Sequence, residues 1–228
     1  MKVIECKKID TERYDSITYI RIEPEKLSVT LRDVLTSFSD LSWISRFDKS
    51  YMRSSFQKRA EDTANYLANK LLKNAEDKIT EDSGEYVVSE LAREALVSEL
   101  KYLDIPLAEL FKEQVSGNPG FDFYSANNHN VIIFGEAKYN SRQNAYGVGM
   151  KQVDRFIREG QDISDLNDID KFFEEESLQM ADKGDKAYAI AFASKGTESE
   201  RIIRGILSNK YYSNIASNKE VIFLAVNI

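Results

Sequence analysis

The stretch Val131-Ile132-Ile133-Phe134-Gly135-Glu136-Ala137-Lys138 constrains this chain most, because it is an apolar, β-branched run that ends abruptly in charge. Such a run reads as a buried strand, which needs cover from helices or other strands. Ahead of it lie Phe121-Asp122-Phe123-Tyr124 and the polar turn Ser125 to Asn130, so the two runs form a β-hairpin turning near Asn127 to His129. The dense turn cluster Ser116-Gly117-Asn118-Pro119-Gly120 opens this unit.

The flanking sequence supplies the cover. Ser16 to Ile22 alternates and predicts a strand ending at Pro24. Phe56, Ala60, Ala64, Leu67, Leu71 and Ala75 recur at steps of three and four and predict one long helix from Ser50 to Ile79. After the turn signal Asp82-Ser83-Gly84, a second helix is expected from Glu85 to about Tyr102, and a short third after Pro106. Beyond the hairpin, Val148 to Glu159 reads as a helix, Gln161 to Asp182 as an acidic helix or loop, and Lys186 to Ser194 as a strand. Thr197 to Lys210 reads as a helix and Glu220 to Asn227 as a last strand. Helices alternating with apolar strands imply an α/β fold: a central mixed sheet flanked by helices, with an α-rich N-terminal region carrying one early strand over residues 1–80 and a core over 81–228.

Composition narrows the function. The 228 residues are 42% hydrophobic and 30% charged, as in a soluble globular domain. A single cysteine, Cys6, forms neither a disulfide framework nor a Cys-based zinc site and fits a reducing, cytoplasmic setting. Residues Met1 to Asp10 contain no apolar signal-peptide stretch, and the longest apolar run, Ala187 to Ala193, is far shorter than a spanning helix of roughly 20 residues. A net charge of −7 argues against a protein that coats DNA unaided. One His and one Cys disfavour Ser-His-Asp and Cys-His hydrolases. Gly147-Val148-Gly149 is too short for a dinucleotide fingerprint, and no Walker Gly-Lys-Ser/Thr occurs. His129, in the hairpin turn, reads as a turn residue.

Chemistry concentrates at the end of the apolar run. Strand side chains alternate, so Glu136 and Lys138 share one face, and an antiparallel hairpin places Asp122 roughly opposite residues 134 to 136. Two carboxylates at this spacing suit Mg²⁺, with Mn²⁺ as a substitute. The lysine can orient or deprotonate an attacking water and offset charge on a scissile phosphate. Glu-x-Lys alone is weak, since Glu5/Lys7, Glu76/Lys78 and Glu99/Lys101 repeat it; only Glu136/Lys138 has an upstream Asp on a paired strand.

Gly120-Phe121-Asp122 followed by Gly135-Glu136-Ala137-Lys138, with a glutamate-bearing helix upstream, resembles the PD-(D/E)XK nuclease superfamily over about Ser83 to Phe156. Pro119 stands three residues ahead of Asp122, displaced from the superfamily's pattern. The resemblance implies a restriction-endonuclease-like core hydrolysing phosphodiesters with a divalent metal. It also implies a helix carboxylate, for which Glu85 and Glu90 compete. Glu85 lies at the edge of the Val88, Ala92, Leu96 stripe and is expected to face the sheet as a third metal ligand, whereas Glu90 falls on the polar side. A polar residue on the helix after the Lys strand is implied as well; Gln152 takes that place, pointing inward or lying on the surface. Together these elements look most like the HamA nuclease subunits of Hachiman anti-phage systems, which implies a DNA-degrading effector restrained by a helicase partner. A stand-alone restriction endonuclease, often a homodimer, and a non-catalytic scaffold or interaction protein are the alternatives.

Lys138, Arg142, Lys151, Arg155 and Arg158 gather positive charge near the proposed site, with Tyr139 and Tyr146 available for stacking on nucleic acid. Lys49, Arg53, Lys58 and Arg59 form a second basic group. The acidic stretch Asp162, Asp165, Asp168, Asp170, Glu174, Glu175 and Glu176 is open to three readings: solubilising, repelling DNA, or docking a basic partner.

Overall fold

In the last apolar strand but one, Ala187, Ala189, Ala191 and Ala193 alternate with Tyr188, Ile190 and Phe192, and the whole architecture follows from that contrast. The structure, a computed structural model, describes residues 1–24, 26–72, 81–113, 117 and 119–228, excepting the side chains of 27, 72, 81 and 82. Its strands are β1 (Lys2–Lys8), β2 (Ile17–Glu23), β3 (Phe123–Ala126), β4 (Ile132–Lys138), β5 (Ala187–Ser194) and β6 (Glu220–Asn227). They form one six-stranded mixed sheet in the order β1-β2-β6-β5-β4-β3. The four central strands run parallel, and each edge strand pairs antiparallel with its neighbour. The helices among the described residues are α1 (Leu27–Ser39), α2 (Ser50–Leu72), α3 (Glu81–Leu100), α4 (Ala108–Phe111), α5 (Tyr146–Glu159), α6 (Gln161–Ile169), α7 (Glu175–Asp182), α8 (Ser199–Leu207) and α9 (Tyr212–Ala216).

Period-two alternation sorts the β5 residues onto two faces. The alanines join Ile133 and Ala137 of β4 beneath α3, whose Val88, Leu91, Ala92, Ala95 and Leu96 are buried against them; small residues on the sheet let the helix sit close. The opposite face carries Phe134, Tyr188, Ile190 and Phe192 and is covered by α5, whose Met150, Val153 and Phe156 complete the layer. There Phe121 packs against Phe156 at 4.9 Å and Phe134 at 5.4 Å between ring centroids, spacings at which aromatic pairs attract. Gly160 ends α5 in the left-handed conformation (φ +70°), which glycine adopts without strain.

The expected α/β sheet with flanking helices is therefore present. The early segment contributes two strands rather than one, and both belong to the common sheet. β1 escapes a hydrophobic reading because it is an edge strand with alternate residues exposed and lysines at both ends, a composition that discourages pairing with other chains. Ser83 and Gly84, read as a turn, lie inside α3. The acidic segment is two helices joined by a 3-10 turn, Asp170–Phe172. The expected extension of the long helix to Ile79, and positions 116 and 118 of the turn cluster, lie outside the described residues.

Candidate metal and nuclease site

The β3–β4 hairpin pairs Phe123 with Gly135 and Ala126 with Ile132. One residue further out, the Asp122 N–H donates to the Gly135 carbonyl at 2.9 Å, and Asp122 Oδ2 accepts from the Ala137 N–H at 2.8 Å. Asp122 is thereby locked opposite Glu136 by backbone contacts. Glu136, on the α5-facing side of the sheet with Phe134, is only 1% exposed. Its Oε1 is ion-paired with Lys138 Nζ at 2.8 Å, while its Oε2 has no partner among the described residues. Lys138 Nζ also donates to Glu85 Oε1 at 3.2 Å.

The charges confirm how crowded this corner is. Burial pushes the Asp122 carboxyl up to about 6, against relief from Lys138 and the Ala137 N–H. Burial, reinforced by Asp122, pushes Glu136 well above the usual carboxylate range, and Lys138 only partly offsets it. For Lys138, burial alone would weaken the ammonium, but Glu136, Asp122 and Glu85 outweigh it and raise its pKa, so the lysine remains a cation.

Neighbours hold this corner in place. Gly120, at φ +97°, approaches Asp165 so closely that a Cβ would stand 2.3 Å from its carboxylate. Asp165 Oδ2 accepts from the Phe121 N–H at 2.9 Å and the Tyr124 hydroxyl at 2.5 Å. Lys112 Nζ, buried 3.8 Å from Asp165, donates to the Pro119 carbonyl at 2.7 Å. Together they grip the backbone immediately before Asp122. On the other side, the Tyr139 ring lies against Gly84, one residue before Glu85, and a Cβ there would fall 2.1 Å from the ring. At Gly149 of α5, a Cβ would meet Ile190 at 2.8 Å and Lys138 Cγ at 3.7 Å, so the first turn of α5 abuts the lysine.

Other expectations fare unevenly. Glu90 is not on a polar face: it is 1% exposed, accepting from Arg93 at 2.6 and 3.0 Å and from the Ser37 hydroxyl, because α1 packs over that side of α3. That commits Glu90 to a structural ion pair and leaves Glu85 as the helix carboxylate at the site. Gln152 lines a cavity with Val148, Lys151, Arg155, Arg158 and Tyr211, one turn along α5 from Gly149. Arg142, Lys151 and Arg155 are exposed and Tyr139 half-buried. Tyr146 packs on Gly205 and Phe192 instead of facing a ligand. In the second basic group, Arg53 donates to the Phe47 and Asp48 carbonyls and Lys58 pairs with Asp62 at 3.0 Å. His129 is exposed, and its N–H donates to Asn127 Oδ1 in the turn. Two of the acidic residues belong to none of the three readings: Asp162 is buried on Lys186 and Tyr188, and Asp165 is buried as described. Lys112 and Asp165 carry no motif that marks them in the sequence.

Among the described residues, no three His, Cys, Asp or Glu side chains converge as a set that would hold a metal ion. Glu85 pairs with Lys138 at 3.2 Å. Asp122 and Glu136 fit a hard divalent cation: Glu136 Oε2 is buried without a partner, and burial disfavours the charged forms of both acids more than Lys138 and the Ala137 N–H relieve them, so these are donors that an ion would satisfy. Comparison with protein-family models, curated proteins and solved structures finds no match for the chain.

Proposed function

We propose that this chain is a Mg²⁺-dependent nuclease that hydrolyses DNA phosphodiesters, with Mn²⁺ as a working substitute. The observation that carries the reading is Glu136, a carboxylate buried at a sheet end with its Oε2 unpartnered, beside Asp122 and a lysine held as a cation. Asp122 and Glu136 would hold the ion. When bound, it supplies Lewis-acid polarisation of a phosphoryl oxygen and lowers the pKa of water.

The chain's own residues do the rest. Lys138 donates hydrogen bonds, orients the attacking water and offsets negative charge developing on the phosphate. Glu85 fixes where its ammonium points. The Ala137 N–H and the grip on residues 119–121 hold Asp122 in one orientation, sparing reorganisation during the reaction. The superfamily resemblance and the acidic balance of the chain support a finer reading: an effector subunit of a bacterial anti-phage complex, controlled by a partner helicase and acting in the cytoplasm. No helix among the described residues is long and apolar enough to cross a membrane.

The test compares wild type with Glu136→Ala and Lys138→Ala on supercoiled plasmid, with Mg²⁺, Mn²⁺ or EDTA, alone and with a co-expressed helicase. Metal-dependent nicking lost in both variants is expected. If wild type cuts under none of these conditions and calorimetry detects no divalent ion bound through Asp122 and Glu136, the protein is a scaffold.

A further inference from the structure

A second feature lies on the exposed side of α5, the helix whose Gly149 abuts Lys138. On α5, Val148 stands three and four residues before Lys151 and Gln152, which stand four and three before Arg155, with Arg158 three further on, so the five share one face of the helix. With Tyr211, just before α9, that stripe lines a cavity of about 250 Å³. Val148 is 48% exposed, unusual for a large aliphatic residue, and sits at the end of the stripe nearest Gly149, the residue against which Lys138 packs. The wall is thus apolar and aromatic while the rim is cationic. Lys151 makes no ion pair among the described residues, and Lys210 adds a further cation 4.9 Å from the Tyr211 ring centre. Two acids border the groove. Asp154 is buried, bound by Arg158 at 3.0 Å and by Asn214, while Glu159 stands 3.8 Å from Arg155.

We infer that this groove binds an unstacked, single-stranded stretch of nucleic acid and leads it to the Glu136–Lys138 corner. The inference deepens the nuclease reading and rests on it for the strand's destination. Charge complementarity selects a polyanion, and the stripe from Gly149 to Arg158 spans roughly 14 Å at 1.5 Å per residue, room for a few nucleotides. The apolar floor selects the strandedness. A duplex presents phosphates to such a surface and keeps its base faces stacked, leaving Val148 and Tyr211 without a partner. An unpaired strand can lay phosphates on the rim and a base against the tyrosine. The net charge of −7 agrees, since this local stripe and not a general basic surface supplies the attraction.

The experiment measures binding of short fluorescent oligo-dT and of a blunt hairpin duplex to the full chain in EDTA, so that nothing is cut. The proteins are wild type, Tyr211→Ala, Tyr211→Phe and the double variant Lys151→Glu, Arg155→Glu, each checked by thermal melting. Wild type is expected to prefer the single strand. Tyr211→Ala should weaken that binding about tenfold while Tyr211→Phe retains it, and the charge variant should weaken it further and flatten its salt dependence. The Phe and charge variants carry the test should Tyr211→Ala misfold. Equal or tighter duplex binding, no binding by wild type, or unchanged affinity in folded charge variants would each overturn the groove. Groove variants that bind and cleave like wild type sink this inference and spare the nuclease. Groove-dependent binding by a protein that takes up no divalent ion and cuts nothing does the reverse.

Discussion

Glu136 is placed against its own stability. A buried carboxylate with one oxygen unpartnered pulls the folded state down, and Lys138, 2.8 Å from the other oxygen, only partly compensates because Asp122 and Glu85 share that cation. Glu136→Gln removes the buried charge while keeping the shape. In the metal-free protein at neutral pH it is therefore expected to raise the melting temperature, by about 0.5–2 kcal/mol of stability, while abolishing ion binding and cleavage. Differential scanning fluorimetry beside the plasmid assay checks both halves; a destabilised variant would mean that Lys138 already neutralises the glutamate in full.

At the scale of elements, two close approaches set the site, and each makes a prediction. Alanine at Gly84 would improve the intrinsic helix propensity of α3, yet its Cβ overlaps the Tyr139 ring. The clash should win, costing about 1–3 kcal/mol, and Tyr139→Ala in the same chain should recover most of it in a double-mutant cycle followed by urea unfolding. The second is the docking of α6 through Asp165. Asp165→Ala strands the Phe121 N–H, the Tyr124 hydroxyl and the buried Lys112 ammonium together. A loss of about 3–5 kcal/mol is expected, visible as a lower urea midpoint, with Asp165→Asn milder because an amide oxygen can still accept from Phe121.

Across the whole molecule, stability should depend jointly on pH and divalent ions. Asp122 has a usual value of 3.8 and is pushed up to about 6 in the ion-free fold, so the folded state holds its proton more tightly than the unfolded chain does. The stability this confers is complete below about 4 and is lost as pH rises through about 6. Mg²⁺ or Mn²⁺ bound to the deprotonated pair should reverse the trend: the ion raises the melting temperature of wild type at pH 7.5, by roughly 2–4 °C per kcal/mol of stabilisation, and has little effect at pH 5, where protons compete for the same oxygens. Melting curves with and without ion at the two pH values check this, and Glu136→Gln should show no ion effect at either. The sequence alone determined what depends on neighbouring residues. Hairpin pairing is local, so the placing of Asp122 opposite residues 134 to 136, the shared face of Glu136 and Lys138, and the alternation of β5 all follow from periodicity and a short turn; the exact register with Glu136 came from the structure. Tertiary structure decided whatever depends on which face a distant element covers. It made β1 an edge of the common sheet, gave Glu90 to Arg93 and Glu85 to Lys138, buried Asp162 and Asp165 within an outwardly acidic segment, and brought Tyr211 beside α5. The physical reason is that a charge pattern shows what a side chain can pair with, whereas burial, which fixes whether it must pair, is known only once the chain has closed around it.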